Sequence, residues 1–281
     1  MREVQRRSSG TGGLVLFWRL WSPDQGSPAG RVLISHGYAE HGGRYRHVAE
    51  RLTAAGFSVV VPDHRGHGRS EGRPVSVASF DEYVEDLHRV ALDSAAELGD
   101  APTILIGHSM GGLIAAVYAL RHASELRGLV LSAPAVTSSG VPAPARLLGR
   151  LLARVTPEMG VMRLPLRKIS RDPGVVAAYM ADPLVHPQRV RARLGAEMLR
   201  AMEEVAAGLP RLSLPVLAMQ GTDDALVDPS AAAYVHARVG SPDRTLHVYP
   251  GLYHEIFNEP ERDQVLDDLV DWVRARLAPP R

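Results

Sequence analysis

The chain contains no cysteine. That excludes disulfides, thiolate zinc sites, iron–sulfur clusters and a cysteine nucleophile. It assigns no redox compartment, because a cysteine-free chain survives in either. Lysine is almost absent too: of 32 basic residues only Lys168 is one, a compositional bias without functional weight. Charge of one sign is missing, with 32 basic against 31 acidic residues and a formal net charge of +1. A near-neutral chain offers no electrostatic case for binding nucleic acid. Long apolar runs are missing as well. Leu14–Trp21 is interrupted by Arg19 and falls short of the ~20 apolar residues that span a bilayer. No small-residue cleavage site follows it, so a cytoplasmic location is expected. There is no internal repeat and no low-complexity tract.

What remains is an ordinary globular composition, 45% hydrophobic and 22% charged over 281 residues. The first nine or so residues are polar and basic and read as a flexible leader. Leu14–Leu20 reads as an early antiparallel strand. Continuous apolar runs of strand length then appear at Arg31–Ser35, Ser58–Val61, Thr103–Ile106, Gly128–Ser132, Pro215–Met219 and Thr245–Tyr249. Stretches of helical spacing lie between them at Tyr45–Ala55, Phe80–Glu97, Gly112–His122, Ser230–Val239 and Gln264–Leu277. Continuous apolar strands predict a sheet buried on both faces. Their alternation with helices predicts right-handed βαβ units wound on both sides.

The alternation breaks once. From about Ala135 to Gly208 no strand is expected, and Pro142, Pro144, Pro157, Pro165, Pro173, Pro183 and Pro187 cut the chain into short helical pieces. The expected organisation is a catalytic domain of residues 1–135 and 209–281 with a helical cap at 136–208. In open α/β sheets ligands bind beyond the carboxyl ends of the strands, where such an insertion would sit. The plainer alternative is a solvent-facing helical excursion.

Gly107-His108-Ser109-Met110-Gly111 follows an apolar strand and opens a helix, the setting of a nucleophile elbow. A very sharp turn there would hold Ser109 in a strained conformation and project its hydroxyl from the sheet. The same pattern without chemistry would be a glycine-rich turn with a helix-capping serine. A serine hydroxyl needs a base, and the base a carboxylate to orient it. His254 is the histidine that follows the last strand. The loop after Pro215–Met219 carries Asp223, Asp224 and Asp228, and spacing alone does not choose among them. Serine, acid, histidine is the chain order of α/β-hydrolases. An oxyanion hole needs two backbone donors. Met110 N–H, at a helix N-terminus, is one candidate; Tyr38 N–H, in His36-Gly37-Tyr38-Ala39-Glu40-His41 after the strand Arg31–Ser35, is the other. His36, Glu40 and His41 are expected to brace that loop. A metal site of His36, His41, His64 and His67 is disfavoured, because the spacing lacks a helical ligand pair with a third carboxylate.

Four segments together resemble the monoacylglycerol lipases, bacterial members above all: HGYAEHGGRY (36–45), DHRGHGRSEG (63–72), GHSMGG (107–112) and YPGLYHEIFNE (249–259). The resemblance implies an α/β-hydrolase fold with a helical cap and neither metal nor organic cofactor. Carried over by position, it implies Ser109 as nucleophile, His254 as base, Asp224 as triad acid, and Tyr38 and Met110 as oxyanion donors. It also implies a small lipid ester as partner. The alternatives are a lysophospholipase or a general carboxylesterase or thioesterase of the same fold. From another class comes a non-catalytic ligand-binding relative, disfavoured because all three triad residue types are present.

Within the expected cap, Arg146, Arg150 and Arg154 recur every four residues beside Leu147, Leu148, Leu151, Leu152 and Val155. That basic amphipathic helix suits contact with a membrane or lipid droplet. Packing of the leucines on the catalytic domain is the competing expectation.

Overall fold

A computed structural model describes residues 1–139 and 141–277. Ten strands run β1 Arg2–Ser9, β2 Val15–Ser22, β3 Arg31–Ser35, β4 Ser58–Pro62, β5 Thr103–His108, β6 Gly128–Ser132, β7 Gly160–Met162, β8 Val190–Arg191, β9 Val216–Gly221 and β10 Arg244–Tyr249 among the described residues. Eight of them form one sheet in the order β1-β2-β4-β3-β5-β6-β9-β10. In this sheet β1–β2 and β2–β4 pair antiparallel, and the pairings β4–β3, β3–β5, β5–β6, β6–β9 and β9–β10 are parallel. Every residue of β3, β4, β5, β6 and β9 is buried, which is why these strands read as unbroken apolar runs rather than alternating ones.

Successive residues of a strand point to opposite faces, so the sheet sorts its side chains into two cores. Leu33, Leu105 and Leu129 join α2 (Asp81–Leu98), α3 (Met110–His122) and α7 (Ala231–Arg238) on one face. Val32, Ile34, Ile104, Ile106 and Val130 join α1 (Arg46–Ala54) and α8 (Arg262–Leu277) on the other. The expected class, a mostly parallel sheet with helices on both faces, is borne out.

Two expectations are corrected. The polar N-terminus is no flexible leader: β1 pairs residue for residue with β2, from Arg2 opposite Ser22 to Ser9 opposite Val15. It looks polar because it is an edge strand with one face in water. Its inward residues are Val4, packed on the core, and Ser8, whose Oγ accepts from Trp18 Nε1 at 2.9 Å. Arg6 ties the strand to Glu97 at 2.7 Å. Nor is the segment between β6 and β9 free of strands, since β7 and β8 pair antiparallel. At three and two residues they are too short to show a period of two.

That segment also carries α4 (Ala143–Val155), α5 (Pro173–Ala181) and α6 (Ala192–Gly208). Pro173 starts α5 rather than breaking it, behind Asp172, whose carboxylate accepts from Gly174 N–H at 2.7 Å. Helix α6, 17 residues without proline, is longer than the expected pieces. Leu194, Ala201 and Val205 of this helix bury into the same core as the helix that follows Ser109.

Candidate active site

Ser109 sits at φ 55°, ψ −120° between β5 and α3. A non-glycine residue in that region costs about 1–3 kcal/mol and persists only where the surroundings impose it. Here they do: Ser109 N–H donates to Ser132 O at 3.0 Å and its carbonyl accepts from Gly112 and Ala135 N–H. Gly111 permits the close packing. A Cβ there would lie 2.1 Å from Ser35 O and 2.3 Å from His36 O. Strand β3 and helix α3 thus touch backbone to backbone under the serine.

On the loop after β9, Asp224 lies 2.7 Å by Oδ2 from His254 Nδ1. Asp224 also accepts from Gln220 Nε2 at 2.8 Å and from the N–H groups of Leu226 and Val227 at 2.8 and 3.0 Å. Burial works against the carboxylate, but the His254 charge and these donors outweigh it and hold its pKa low. Burial likewise opposes protonation of His254, yet Asp224, followed by Glu255 and Glu40, raises its pKa above 6.5. A carboxylate only accepts, so the neutral imidazole carries its proton on Nδ1 and leaves Nε2 basic. The other two candidate acids are placed elsewhere. Asp223 accepts from Thr222 Oγ1, and Asp228 accepts from Ser230 N–H and hydroxyl and from the Ser139 hydroxyl.

The loop after β3 runs beside Ser109: a Cβ on Gly37 would lie 3.3 Å from Ser109 Cβ. Among the described residues no backbone acceptor engages the N–H of Tyr38 or Met110. The bracing expected of this loop is present. Glu40 accepts from Gly37 N–H at 2.6 Å, Tyr45 OH at 2.8 Å and Arg44 at 2.5 Å. His36 Nδ1 donates to Gly37 O at 2.9 Å while its Nε2 accepts from His64 N–H at 3.0 Å. Both ring nitrogens are therefore used, the ring is neutral, and burial with His64 and His67 nearby pushes its pKa well down. His41 is also spent, accepting from Gly43 N–H and lying 2.9 Å from Asp182.

Ser109, His254, Gly37, Tyr38 and Glu40 line one cavity of about 20 Å³, closed over by Leu164, Leu166, Ile169 and Tyr179. No hydrogen bond joins Ser109 to His254 in this structure; such bonds are often long without substrate and tighten when it binds. An apolar groove of about 560 Å³ opens between α4, α6 and β7, lined by Leu148, Leu152, Met159, Met162, Met198 and Met202. Met162 in the groove and Leu164 over Ser109 are two residues apart. A cleft of about 410 Å³ beside β10 and α8 holds neither Ser109 nor His254.

Sequence reasoning missed part of the support. Arg44 bridges Glu40 to Glu255, gripping Glu255 through both guanidinium nitrogens at 2.7 Å, and so ties the Tyr38 loop to the His254 loop. The partners lie 211 residues apart, so no local pattern links them. Gln220, at the end of an apolar strand, was the one detectable signal: a buried amide there needs a partner.

A doubly wound sheet with a strained serine at a strand–helix elbow and a histidine–aspartate pair on the last two strand ends defines an α/β-hydrolase. The chain belongs to the serine aminopeptidase S33 family, whose pattern matches residues 26–261. It is 41% identical to a monoacylglycerol lipase of Mycolicibacterium smegmatis over 96% of each chain. It is 33% identical to the monoglyceride lipase of Homo sapiens, over 95% of this chain and 89% of that one. Among solved structures, the monoacylglycerol lipase of Paleococcus ferrophilus superposes with a TM-score of 0.79 at 30% identity, covering 98% of this chain and 100% of that one.

Proposed function

We propose that this chain hydrolyses monoacylglycerols to fatty acid and glycerol, with Ser109 as nucleophile, His254 as general base and Asp224 as the acid that orients it. The observation that carries the reading is the buried 2.7 Å pair of His254 Nδ1 and Asp224 beside the strained Ser109. His254 Nε2 takes the hydroxyl proton as Ser109 Oγ attacks the ester carbonyl. The N–H groups of Tyr38 and Met110 donate to the tetrahedral oxyanion. Collapse expels glycerol, which leaves with the proton held by His254, and water repeats the sequence on the acyl-enzyme.

Residues 136–208 act as a cap over residues 1–135 and 209–281. The methionine- and leucine-lined groove takes the acyl chain. An ester is larger than the 20 Å³ beside Ser109, so productive binding moves Leu164, Leu166 and Tyr179 aside. Glu40, His108 and Glu255 line both this cavity and a small polar niche with Arg44 and His47. Among the described residues no helix is long and apolar enough to cross a membrane. Contact with lipid is then peripheral, through Leu147, Leu151 and Val155 of α4, which stand 71%, 57% and 70% exposed.

The test is a substrate panel on wild type and Ser109→Ala. Wild type is expected to prefer monoolein over di- and triacylglycerols and over lysophosphatidylcholine. Ser109→Ala is expected to fold normally, lose turnover and resist fluorophosphonate labelling. A preference for lysophosphatidylcholine would replace the substrate, and substantial turnover by Ser109→Ala would remove the mechanism.

A further inference from the structure

We infer that Met159 and Met162 are sites of reversible oxidation, where a peroxide converts the thioethers to sulfoxides and closes the groove between α4, α6 and β7 to long acyl chains. The inference rests on the reading above that this groove takes the acyl chain. With no cysteine in the chain, its eight methionines hold all of its sulfur. Four of them, Met159, Met162, Met198 and Met202, line this one groove. Met198 and Met202 stand one turn apart on the same face of α6. Met110 and Met219 are fully buried, out of reach of an oxidant in solution, whereas Met159 and Met162 stand 43% and 46% exposed. Among the methionines only Met180, at 48%, is as open, and it lies on α5, outside the groove lining.

The backbone holds both residues at the rim of the groove. Met159 N–H donates to Thr156 O at 3.0 Å and its carbonyl accepts from Ala192 N–H at 2.8 Å, while Met162 stands opposite Val190 where β7 pairs with β8. In the reaction the sulfur lone pair attacks one oxygen of hydrogen peroxide. The S–O bond forms as the O–O bond breaks, so the sulfur is oxidised and the peroxide reduced. The departing hydroxide takes the proton of the transferred oxygen and leaves as water. A sulfoxide is a polar acceptor where the thioether was apolar. An acyl chain lying over it strips its water and offers no donor in return, and a polar group buried without a partner is costly. That cost falls on binding the long chain and appears in KM. An acetyl group ends beside Ser109 and does not cover these sulfurs, so an acetate ester is spared. Methionine sulfoxide reductases restore the thioether, which makes the change a switch rather than damage.

The competing explanation is general oxidative damage, and Met180 separates the two because it is as open but off the groove. The full chain is treated with hydrogen peroxide, its sulfoxides are mapped by peptide mass spectrometry, and kinetics are read on monoolein and on an acetate ester. Sulfoxides at Met159 and Met162 are expected to raise KM for monoolein by about fivefold or more and to leave acetate hydrolysis within about twofold. Methionine sulfoxide reductase should reverse the rise. A variant with Met159→Leu and Met162→Leu keeps apolar side chains of similar volume; compared with its own untreated rate, it should resist peroxide. Met180→Leu should respond as wild type does. Binding of a fluorescent fatty acid reads the groove without ester cleavage and should weaken on oxidation in parallel. If untreated protein leaves monoolein uncleaved yet loses fatty-acid binding on oxidation, the substrate falls and the modification site stands. If monoolein hydrolysis is unchanged after Met159 and Met162 are fully converted, the site falls and the substrate stands. Oxidation confined to Met180, or equal loss in the double leucine variant, would also overturn the site.

Discussion

At the rim of the sheet, polar side chains are buried and partnered: Glu40, Glu255, Asp224 and His254 are each at most 5% exposed, and each has a named hydrogen-bond partner. In the segment between β6 and β9 the pattern reverses. Leu147, Leu148, Leu151, Val155, Met159 and Met162 face solvent, while Arg150 leans on Glu203 at 2.6 Å. A buried charge left unpaired costs several kcal/mol, so the rim tolerates one arrangement of its side chains. Exposed leucines cost little to move. The contrast fits a rigid constellation that does chemistry beside a surface that adapts to a lipid ester.

The largest effect should come from breaking the rim. Asp224→Asn is expected to lower kcat by about 10⁴ because the imidazole loses its tautomer and its charge partner, while Asp228→Asn stays within a few-fold. Steady-state kinetics on a soluble monoester decides; equal losses would undo the choice of Asp224. The pH profile sharpens it. The base must be neutral, so wild type loses kcat/KM as pH falls through the His254 pKa, which lies above 6.5. Removing Asp224 lowers that pKa, and the residual activity of Asp224→Asn should show its acid limb at lower pH.

Next comes the elbow. Gly111→Ala places a methyl 2.1 Å from Ser35 O, a backbone atom that cannot step aside. The expected loss is about 3 kcal/mol or more in equilibrium denaturation. A change below about 1 kcal/mol would show that β3 and α3 are not locked together.

A smaller effect follows from the buried histidines beneath the Tyr38 loop. Burial pushes His64 down to about 3 and His67 to about 4, and His108 beneath Ser109 to about 3. The unfolded chain, with ordinary histidines near 6.5, therefore binds more protons below that pH. Stability should fall on acidification between about pH 6.5 and 4. Replacing one such ring, as in His67→Gln, removes one proton and should flatten the slope by about 1.4 kcal/mol per pH unit. An unchanged slope would mean that this ring is charged when folded.

The parts of the molecule that repeat a physical pattern were the parts legible beforehand. Strands buried on both faces leave continuous apolar runs, so β3 and β6 were expected at the residues they occupy. The elbow showed as glycines flanking a serine between strand and helix, because only glycine permits that approach. Edge strand β1 was hidden by its polar face, and β7 with β8 by brevity. The Arg44–Glu255 clamp was hidden by distance along the chain: tertiary packing creates it and no local period marks it. The choice among Asp223, Asp224 and Asp228 needed either a family resemblance or the coordinates, since three aspartates on one loop are chemically alike.

The smallest effect on the protein in solution should come from the exposed face of α4, and it is the sharpest test of the contrast. Leu147→Ser, Leu151→Ser and Val155→Ser together remove side chains that pack on little. Surface changes of this kind usually stay within about 0.5 kcal/mol each. Hydrolysis of a short soluble monoester should stay within twofold. Binding to vesicles should not. A side chain that enters lipid to half its depth gains about 1 kcal/mol, so losing three lowers partitioning about a hundredfold. Arg150 and Arg154 on the same helix add an electrostatic part of about 1 kcal/mol each on anionic vesicles, screened by salt. Co-sedimentation with vesicles, with and without anionic lipid, reads both contributions. If the triple variant binds vesicles as wild type does, the leucines do not meet lipid. If it loses soluble-ester turnover as well, they serve the groove or the fold, and the division between a rigid rim and an adaptable cover fails.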